Sequence, residues 1–282
     1  MLCIKYCAPN MTYVDKAQQI KIDYRHQDET LEEFVLRNKD KHIYIDISHI
    51  DNIFKHKDYV QRLQKLKEQA DNWTLQISMT DIIDVNLFVE KKILNITYLD
   101  AVKEIAPHFM FADQILSWEE LNFVSSFNPS EVYISGSLGF QLFSVKKYCD
   151  EHNMGIRFIA NKAQGMWFET DITRFFIRPE DCKLYEKYGV IEFEGGANVQ
   201  EVAYKAYTKG EWIGDLRELI IDLDEKEPIK NTLLPAKFGE YRLKCGRKCK
   251  RGGNCTLCRT MREMAEILMR GIEHDNSING ID

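Results

Sequence analysis

Residues 42–78 carry the pattern that decides the fold: His42-Ile-Tyr-Ile-Asp-Ile-Ser48, an amphipathic stretch over 59–70, and Trp73-Thr-Leu-Gln-Ile-Ser78. The first and third segments are rich in β-branched and aromatic residues, which favour strands. Between them, Val60, Leu63 and Leu66 recur at helical spacing. A strand, a helix and a strand in this order predict a βα repeat with parallel strands.

The same alternation continues on both sides of this unit. Helices are predicted over 30–38, after Ser117 and over 142–152, with Ser117 and Glu120 forming a capping box. Further strands are predicted at Gln19–Tyr24, Ile96–Leu99, Phe109–Phe111, Glu131–Ser135, Gly155–Ile159, Arg174–Ile177 and Val190–Phe193. About eight strands alternating with helices predict a closed (β/α)8 TIM-like barrel, and an open sheet is the alternative.

Four of the eight cysteines lie within fourteen residues near the C-terminus: Cys245, Cys249, Cys255 and Cys258, with the spacing C-x3-C-x5-C-x2-C. Glycines between them permit tight turns, and a helix-like run over 259–270 follows, whose N-terminus favours thiolates. Four thiolates form a closed tetrahedral set, which predicts a structural zinc ion. A [4Fe–4S] cluster takes the same ligands and is the alternative.

The tail also differs from the rest of the chain in charge. Residues 237–270 contain ten Lys and Arg against three Glu, whereas the formal net charge of the whole chain is -6. We therefore divide the chain into an α/β barrel over residues 1–230 and a helical, cysteine-rich metal-binding tail over 231–282. The basic residues balance the thiolates in the simplest interpretation, and a nucleic-acid contact through 237–270 is the alternative.

The remaining cysteines, Cys3, Cys7, Cys149 and Cys182, lie on apolar or amphipathic runs and are predicted to be buried small hydrophobic residues. A disulfide scaffold would be shorter and denser in cysteine, so we expect a reducing, cytoplasmic location. No stretch approaches the roughly 18 apolar residues that a membrane span requires, so no membrane contact is expected.

Polar residues that end predicted strands are the candidates for chemistry, because strand carboxyl ends carry the active sites of parallel barrels. The candidates include Ser78 and Ser135. The four selected for substrate binding are Asp46, Asn161, Arg178 and Glu192. Arg178 precedes Pro179, which also suits a helix start, so helix initiation is its alternative role. Catalytic residues are not identified, and whether the protein is an enzyme is left open.

Four segments together resemble a known family: Val132-Tyr-Ile-Ser-Gly-Ser-Leu-Gly139, Gly155-Ile-Arg-Phe-Ile-Ala-Asn161, Phe176-Ile-Arg-Pro-Glu-Asp181 and Val190-Ile-Glu-Phe-Glu-Gly195. They resemble the second half of peptidase U32-like TIM barrels, over residues of about 131–195. Members of that family act in RNA or ubiquinone hydroxylation and hold iron–sulfur clusters. The resemblance implies a possible cluster and a role in RNA or cofactor modification.

Two functions follow as expectations. The first is a U32-like protein with a four-cysteine metal site that binds a polar or anionic small molecule. The second is a non-catalytic structural or interaction protein within a larger assembly, for example a virion-associated component.

Metal analysis of anaerobically purified protein tests the tail. We expect one zinc ion per chain and no visible absorption band, because the four thiolates complete a tetrahedral structural site. About four irons per chain with broad visible absorption would establish the cluster instead. Protein without bound metal would contradict both assignments.

Overall fold

The computed structural model describes residues 2–6, 19–23, 31–50, 53–81, 96–136, 138–163, 175–193, 197–221 and 230–245. The strands are β1 (Leu2–Tyr6), β2 (Gln19–Asp23), β3 (His42–Asp46), β4 (Trp73–Ile77), β5 (His108–Ile115), β6 (Glu131–Ile134), β7 (Gly155–Ile159) and β8 (Val190–Phe193). The α-helices are α1 (Leu31–Arg37), α2 (Lys57–Gln69), α3 (Ile96–Ile105), α4 (Trp118–Ser125), α5 (Leu142–Glu151), α6 (Cys182–Tyr185), α7 (Ala197–Lys209) and α8 (Phe238–Cys245). Short 3-10 turns lie at Ile53–Lys55, Met79–Asp81, Leu138–Phe140, Pro179–Asp181, Leu216–Glu218 and Asn231–Leu233.

Strands β2 to β8 form one parallel sheet in which sequence neighbours are also spatial neighbours. This seven-stranded sheet curves into a half-barrel and is open, with its edges 9 Å apart. Paired strands lie about 4.8 Å apart, so this opening has the width of one strand. Strand β1 lies there, with Cys3 opposite Gln19 of β2 and Glu192 of β8.

The predicted closed (β/α)8 barrel is therefore wrong, because the helix-connected sheet has seven strands and is open. Two predicted strands are not strands. The segment Ile96–Leu99 begins α3, and its apolar spacing continues at helical intervals through Val102 and Ile105. The strand predicted at 174–177 is also wrong, although Phe175, Phe176 and Ile177 are buried.

Side chains supply two of the backbone partners of that buried apolar segment. The Tyr207 hydroxyl donates to the carbonyl oxygen of Ile177 at 2.7 Å, and Arg242 donates to that of Phe176 at 2.6 Å. The Ile177 N–H donates to the backbone carbonyl oxygen of Ala160 at 2.9 Å. A buried run of aromatic residues resembles a core strand in sequence, but here side chains take the place of a strand neighbour at both of these carbonyl groups.

The helices cover the convex face of the sheet with apolar side chains. On α2, Leu63 and Leu66 are buried as predicted, Tyr59 is buried beside them, and Val60 is partly buried against the core. The capping box of α4 is confirmed, since the backbone N–H of Glu120 donates to the Ser117 hydroxyl and the Ser117 N–H donates to the Glu120 carboxylate, both at 3.2 Å. The apolar contacts hold the helices against the convex face of the sheet, so the concave face is lined by the other strand residues.

Buried cysteines behave as predicted where the structure describes their side chains. Cys149 and Cys182 are free and buried. Burial raises the pKa of the Cys149 thiol to about 12 and raises that of Cys182 as well. Both are therefore uncharged packing residues at neutral pH. Cys3 lies on β1, and Cys7 is outside the described residues.

Helix α8 is fixed to the core by two buried arginines. Arg178 donates to both carboxylate oxygens of Asp181, at 2.8 and 3.2 Å, and to the carbonyl oxygen of Pro235. The Arg242 guanidinium lies 4.4 Å from the ring centre of Phe176 and 4.8 Å from that of Phe238. The beginning of the predicted tail thus packs against the segment that follows β7.

Phe238→Ala tests this attachment. We expect it to lower the free energy of unfolding by about 3–5 kcal/mol, because a buried ring that stacks on Phe176 is lost. Tyr241→Ala on the same helix is the control, since Tyr241 is 37% exposed. Urea denaturation of both variants measures the difference, and equal losses would contradict the described attachment.

Candidate ligand site on the concave face

The concave face of the half-barrel is unusually polar. Alternate residues of a strand point to opposite faces of the sheet. In β2 to β8, one of the two alternating sets is apolar and packs against the helices on the convex face. The other set contains an aromatic and aliphatic group of Tyr44, Met110, Tyr133 and Ile159. It also contains buried polar side chains, namely Gln19, Lys21, Asp46, Thr74, Gln76, Ser78, Arg157 and Glu192. Parallel barrels usually fill this space with branched apolar residues, so the polar filling indicates a site.

Glu192 is the centre of the polar cluster. It is 1% exposed and accepts hydrogen bonds from the Tyr133 hydroxyl at 2.6 Å and from Arg157 at 3.1 Å. The Lys21 ammonium lies 3.9 Å from the other oxygen of Glu192 and 3.3 Å from Asp46. Lys21 therefore lies between two carboxylates of different strands.

Arg157 links this cluster to the amino ends of the strands. One of its terminal nitrogens donates to Gln19 at 3.0 Å and to Glu131 at 3.2 Å, and the other donates to Glu192. Its guanidinium lies 4.0 Å from the ring centre of Tyr44, within cation–π range. A fully buried cation is stable only with such partners.

A chain of neutral hydrogen bonds runs beside the ions. Gln76 donates to the Tyr133 hydroxyl at 3.1 Å and to the Met110 sulfur at 3.3 Å. Because Tyr133 gives its own proton to Glu192, its oxygen must accept from the amide nitrogen of Gln76, which fixes the amide orientation. The amide oxygen of Gln76 then has no hydrogen-bond partner within the described residues, and the same holds for the Ser135 hydroxyl.

Both carboxylates of the site are ionised at neutral pH. Burial alone would raise the pKa of Glu192, but the charges of Lys21 and Arg157 and the hydrogen bonds from Tyr133 and Arg157 outweigh it, and the pKa is lowered. For Asp46, burial is again opposed, here by the charge of Lys21 and by hydrogen bonds from Ser48, and its pKa is also lowered. The site therefore presents two fixed negative charges with Lys21 between them.

His42 lies at the amino end of the same face. Burial is the main cause that lowers its pKa, while Glu131 opposes the shift. The neutral imidazole shares a 2.8 Å hydrogen bond with the Thr74 hydroxyl. We assign His42 to the packing of this end of the sheet.

The structure places the four predicted substrate-binding residues in three environments. Asp46 and Glu192 meet through Lys21 at the polar cluster. Asn161 is fully buried two residues past β7, and its carbonyl oxygen accepts a hydrogen bond from the N–H of Ile221 at 2.7 Å. Arg178 binds Asp181 and the C-terminal segment, with Pro179 opening a 3-10 turn as its alternative role predicted.

Sequence reasoning missed Lys21, Gln76, Tyr133 and Arg157, because it considered only strand ends. The signal was present in the alternation of Gln19-x-Lys21, Thr74-x-Gln76 and Glu131-x-Tyr133. Parallel strands covered by helices are usually apolar on both faces. An alternating strand in such a sheet therefore indicates that one buried face is polar.

Cys245 is the last residue of α8, and Cys249, Cys255 and Cys258 lie outside the described residues. The described part of the chain contains no group of three or more His, Cys, Asp or Glu that can hold a metal ion. The metal site of the tail therefore remains a prediction from sequence. Within the same residues, no helix is long and apolar enough to cross a membrane.

No family model matches the chain, and no curated protein matches it.

Glu192→Gln tests the ion cluster through stability. At pH 7 we expect a loss of about 3–5 kcal/mol in unfolding free energy, because Lys21 and Arg157 keep their charges but lose a buried partner. Since the folded-state pKa of Glu192 is lowered, the carboxylate stabilises the fold above its unfolded pKa. This contribution is lost as pH falls through the lowered folded value.

The difference between wild type and variant should therefore be largest at neutral pH and shrink below about 4.5. Urea denaturation between pH 7 and about pH 3 measures it. Glu151→Gln is the control, because its pair with Lys147 is exposed and is worth under about 1 kcal/mol. A difference between wild type and E192Q that does not change with pH would contradict the assignment.

Proposed function

We propose that this chain is a U32-like protein that binds a polar small molecule, neutral or anionic, on the concave face of its sheet, in RNA or cofactor modification. The observation that carries the proposal is the buried polar cluster of Lys21, Asp46 and Glu192. Burying three ionised groups costs free energy that an apolar filling would avoid, so a ligand-binding role explains their presence.

The position of the cluster supports the same proposal. Asp46 ends β3, and Glu192 lies one residue before the end of β8. In parallel α/β sheets, ligands bind at the carboxyl ends of the strands. The resembling segments of the U32-like family supply Tyr133, Arg157 and Glu192 to this face.

Lys21→Met tests the proposal. Saturation-transfer NMR with a panel of ribonucleosides and nucleoside monophosphates measures binding to purified protein. We expect one or more compounds to bind wild type and to bind the variant at least about tenfold more weakly, which corresponds to about 1.4 kcal/mol. The Met side chain fills the space of the apolar stem of Lys21 and removes its charge and hydrogen bonds.

Lys147→Met is the matched control, because Lys147 is exposed on α5 far along the chain from the cluster. No binding to wild type by any compound of the panel would contradict the proposal. Equal binding to wild type and K21M would also contradict it.

A non-catalytic role in an assembly is the second candidate, and one surface feature favours it. Phe143 on α5 is 79% exposed and borders a groove of ≈ 470 Å³ that Lys146, Lys187 and Tyr188 also line. An exposed aromatic ring beside such a groove is typical of a protein contact. If the protein co-purifies with a partner at a fixed stoichiometry, light scattering measures the mass of the complex. Loss of the partner in the Phe143→Ser variant would support this role.

A nucleic-acid contact through 237–270 is the alternative, and it requires an affinity for nucleic acid that falls steeply as the salt concentration rises.

A further inference from the structure

We infer that the concave face selects a neutral ligand rich in hydroxyl groups over its anionic counterpart. This inference rests on the proposed function and narrows it to one chemical class. Three features of the site lead to it: its charge balance, its unused hydrogen-bonding atoms and the position of Lys21.

The charge balance disfavours an anionic ligand. Among the side chains that the structure describes, the cluster has two cations, Lys21 and Arg157, and three carboxylates, those of Asp46, Glu131 and Glu192, so one negative charge is in excess. A further anionic group close to these carboxylates is repelled by them, and the repulsion is strong where water is excluded.

The terminal nitrogens of Arg157 are not available to an incoming anion. Its side chain is completely buried, and both terminal nitrogens already donate to Gln19, Glu131 and Glu192. Lys21 is slightly exposed, but it lies within 4 Å of two carboxylates. Anion sites in proteins instead present cations or N–H groups directed at the ligand.

The unused hydrogen-bonding atoms favour hydroxyl groups. The amide oxygen of Gln76 needs a donor, and the Ser135 hydroxyl needs at least one partner of either kind. Both side chains are fully buried, so each unmade hydrogen bond is costly. Ser135 follows Tyr133 by two residues and so continues the concave series towards the carboxyl end. A ligand hydroxyl both donates and accepts, so it can partner either atom.

The position of Lys21 disfavours a cationic ligand. Its ammonium lies 3.3 Å from Asp46 and 3.9 Å from Glu192, where a ligand amine would otherwise bind. A cationic ligand would have to displace the Lys21 ammonium, which is part of β2 and already lies beside both carboxylates. Neutral hydroxyl donors are not subject to this competition and can use the remaining lone pairs of both carboxylates.

The experiment compares D-ribose with D-ribose 5-phosphate on the full chain by saturation-transfer NMR. We expect ribose to bind wild type and the phosphate to bind at least about tenfold more weakly, a difference of about 1.4 kcal/mol. Ser135→Ala should weaken ribose binding about three- to tenfold, the effect of one lost hydrogen bond. Ser144→Ala on α5 is the control, since that serine is exposed and should leave binding unchanged.

Asp46→Asn provides a second, independent readout. Because it removes one of the two carboxylates beside Lys21, it should bring the affinities for the two sugars to within about threefold of each other. Thermal unfolding of each variant without ligand shows whether the fold is retained.

Three outcomes are distinguishable. Stronger binding of ribose than of its phosphate, reduced by S135A, supports the inference. Equal or stronger binding of the phosphate to wild type overturns it and leaves the proposed function standing. If neither sugar binds wild type, the inference fails, and the nucleoside panel alone then decides the proposed function.

Discussion

The guanidinium of Arg157 lies on the concave face without exposure to solvent, and the polar cluster is arranged around its charge. Gln19, Glu131 and Glu192 accept its hydrogen bonds, and Tyr44 lies against its plane. Glu192 in turn holds Tyr133, whose oxygen orients Gln76. Six strands, β2, β3, β4, β6, β7 and β8, therefore meet in one polar unit. Their register is fixed by charge as well as by apolar packing, because a one-residue slip would move each charged side chain to the helix-covered face.

Much of this sheet is predictable from its sequence, and the errors have physical causes. The strands from β2 to β8 all coincide with predicted segments, since β-branched runs separated by helical patterns are strong signals. The closed barrel was wrong because short apolar runs do not distinguish a strand from a helix or from a buried irregular segment. Ile96–Leu99 is helical, and the carbonyl groups of Phe176 and Ile177 accept hydrogen bonds from the side chains of Arg242 and Tyr207. Strand β1 was not predicted.

The sequence predicts the site only where its charged residues lie at strand ends. Asp46 and Glu192 are predicted for this reason, whereas Lys21 and Arg157 lie within strands, and their contacts with the carboxylates follow only from the three-dimensional register. Arg178 shows the opposite limit. Its position after a predicted strand suggests a ligand contact, but Asp181 lies three residues later and binds the guanidinium. Local sequence cannot show which of several nearby partners a long cationic side chain will reach.

The position of β1 in the opening of the half-barrel has a consequence for synthesis of the chain. β1 is made first, yet one of its two neighbours, β8, ends at Phe193, so most of the described chain separates the two partners. Contacts between such distant segments form slowly, since a large loop must close before they contribute free energy. Until β8 has been made, β1 can pair only with β2, and its other edge is open to strands of other molecules. Conditions that slow translation before residue 193 would therefore prolong the stage at which this chain is most prone to aggregate.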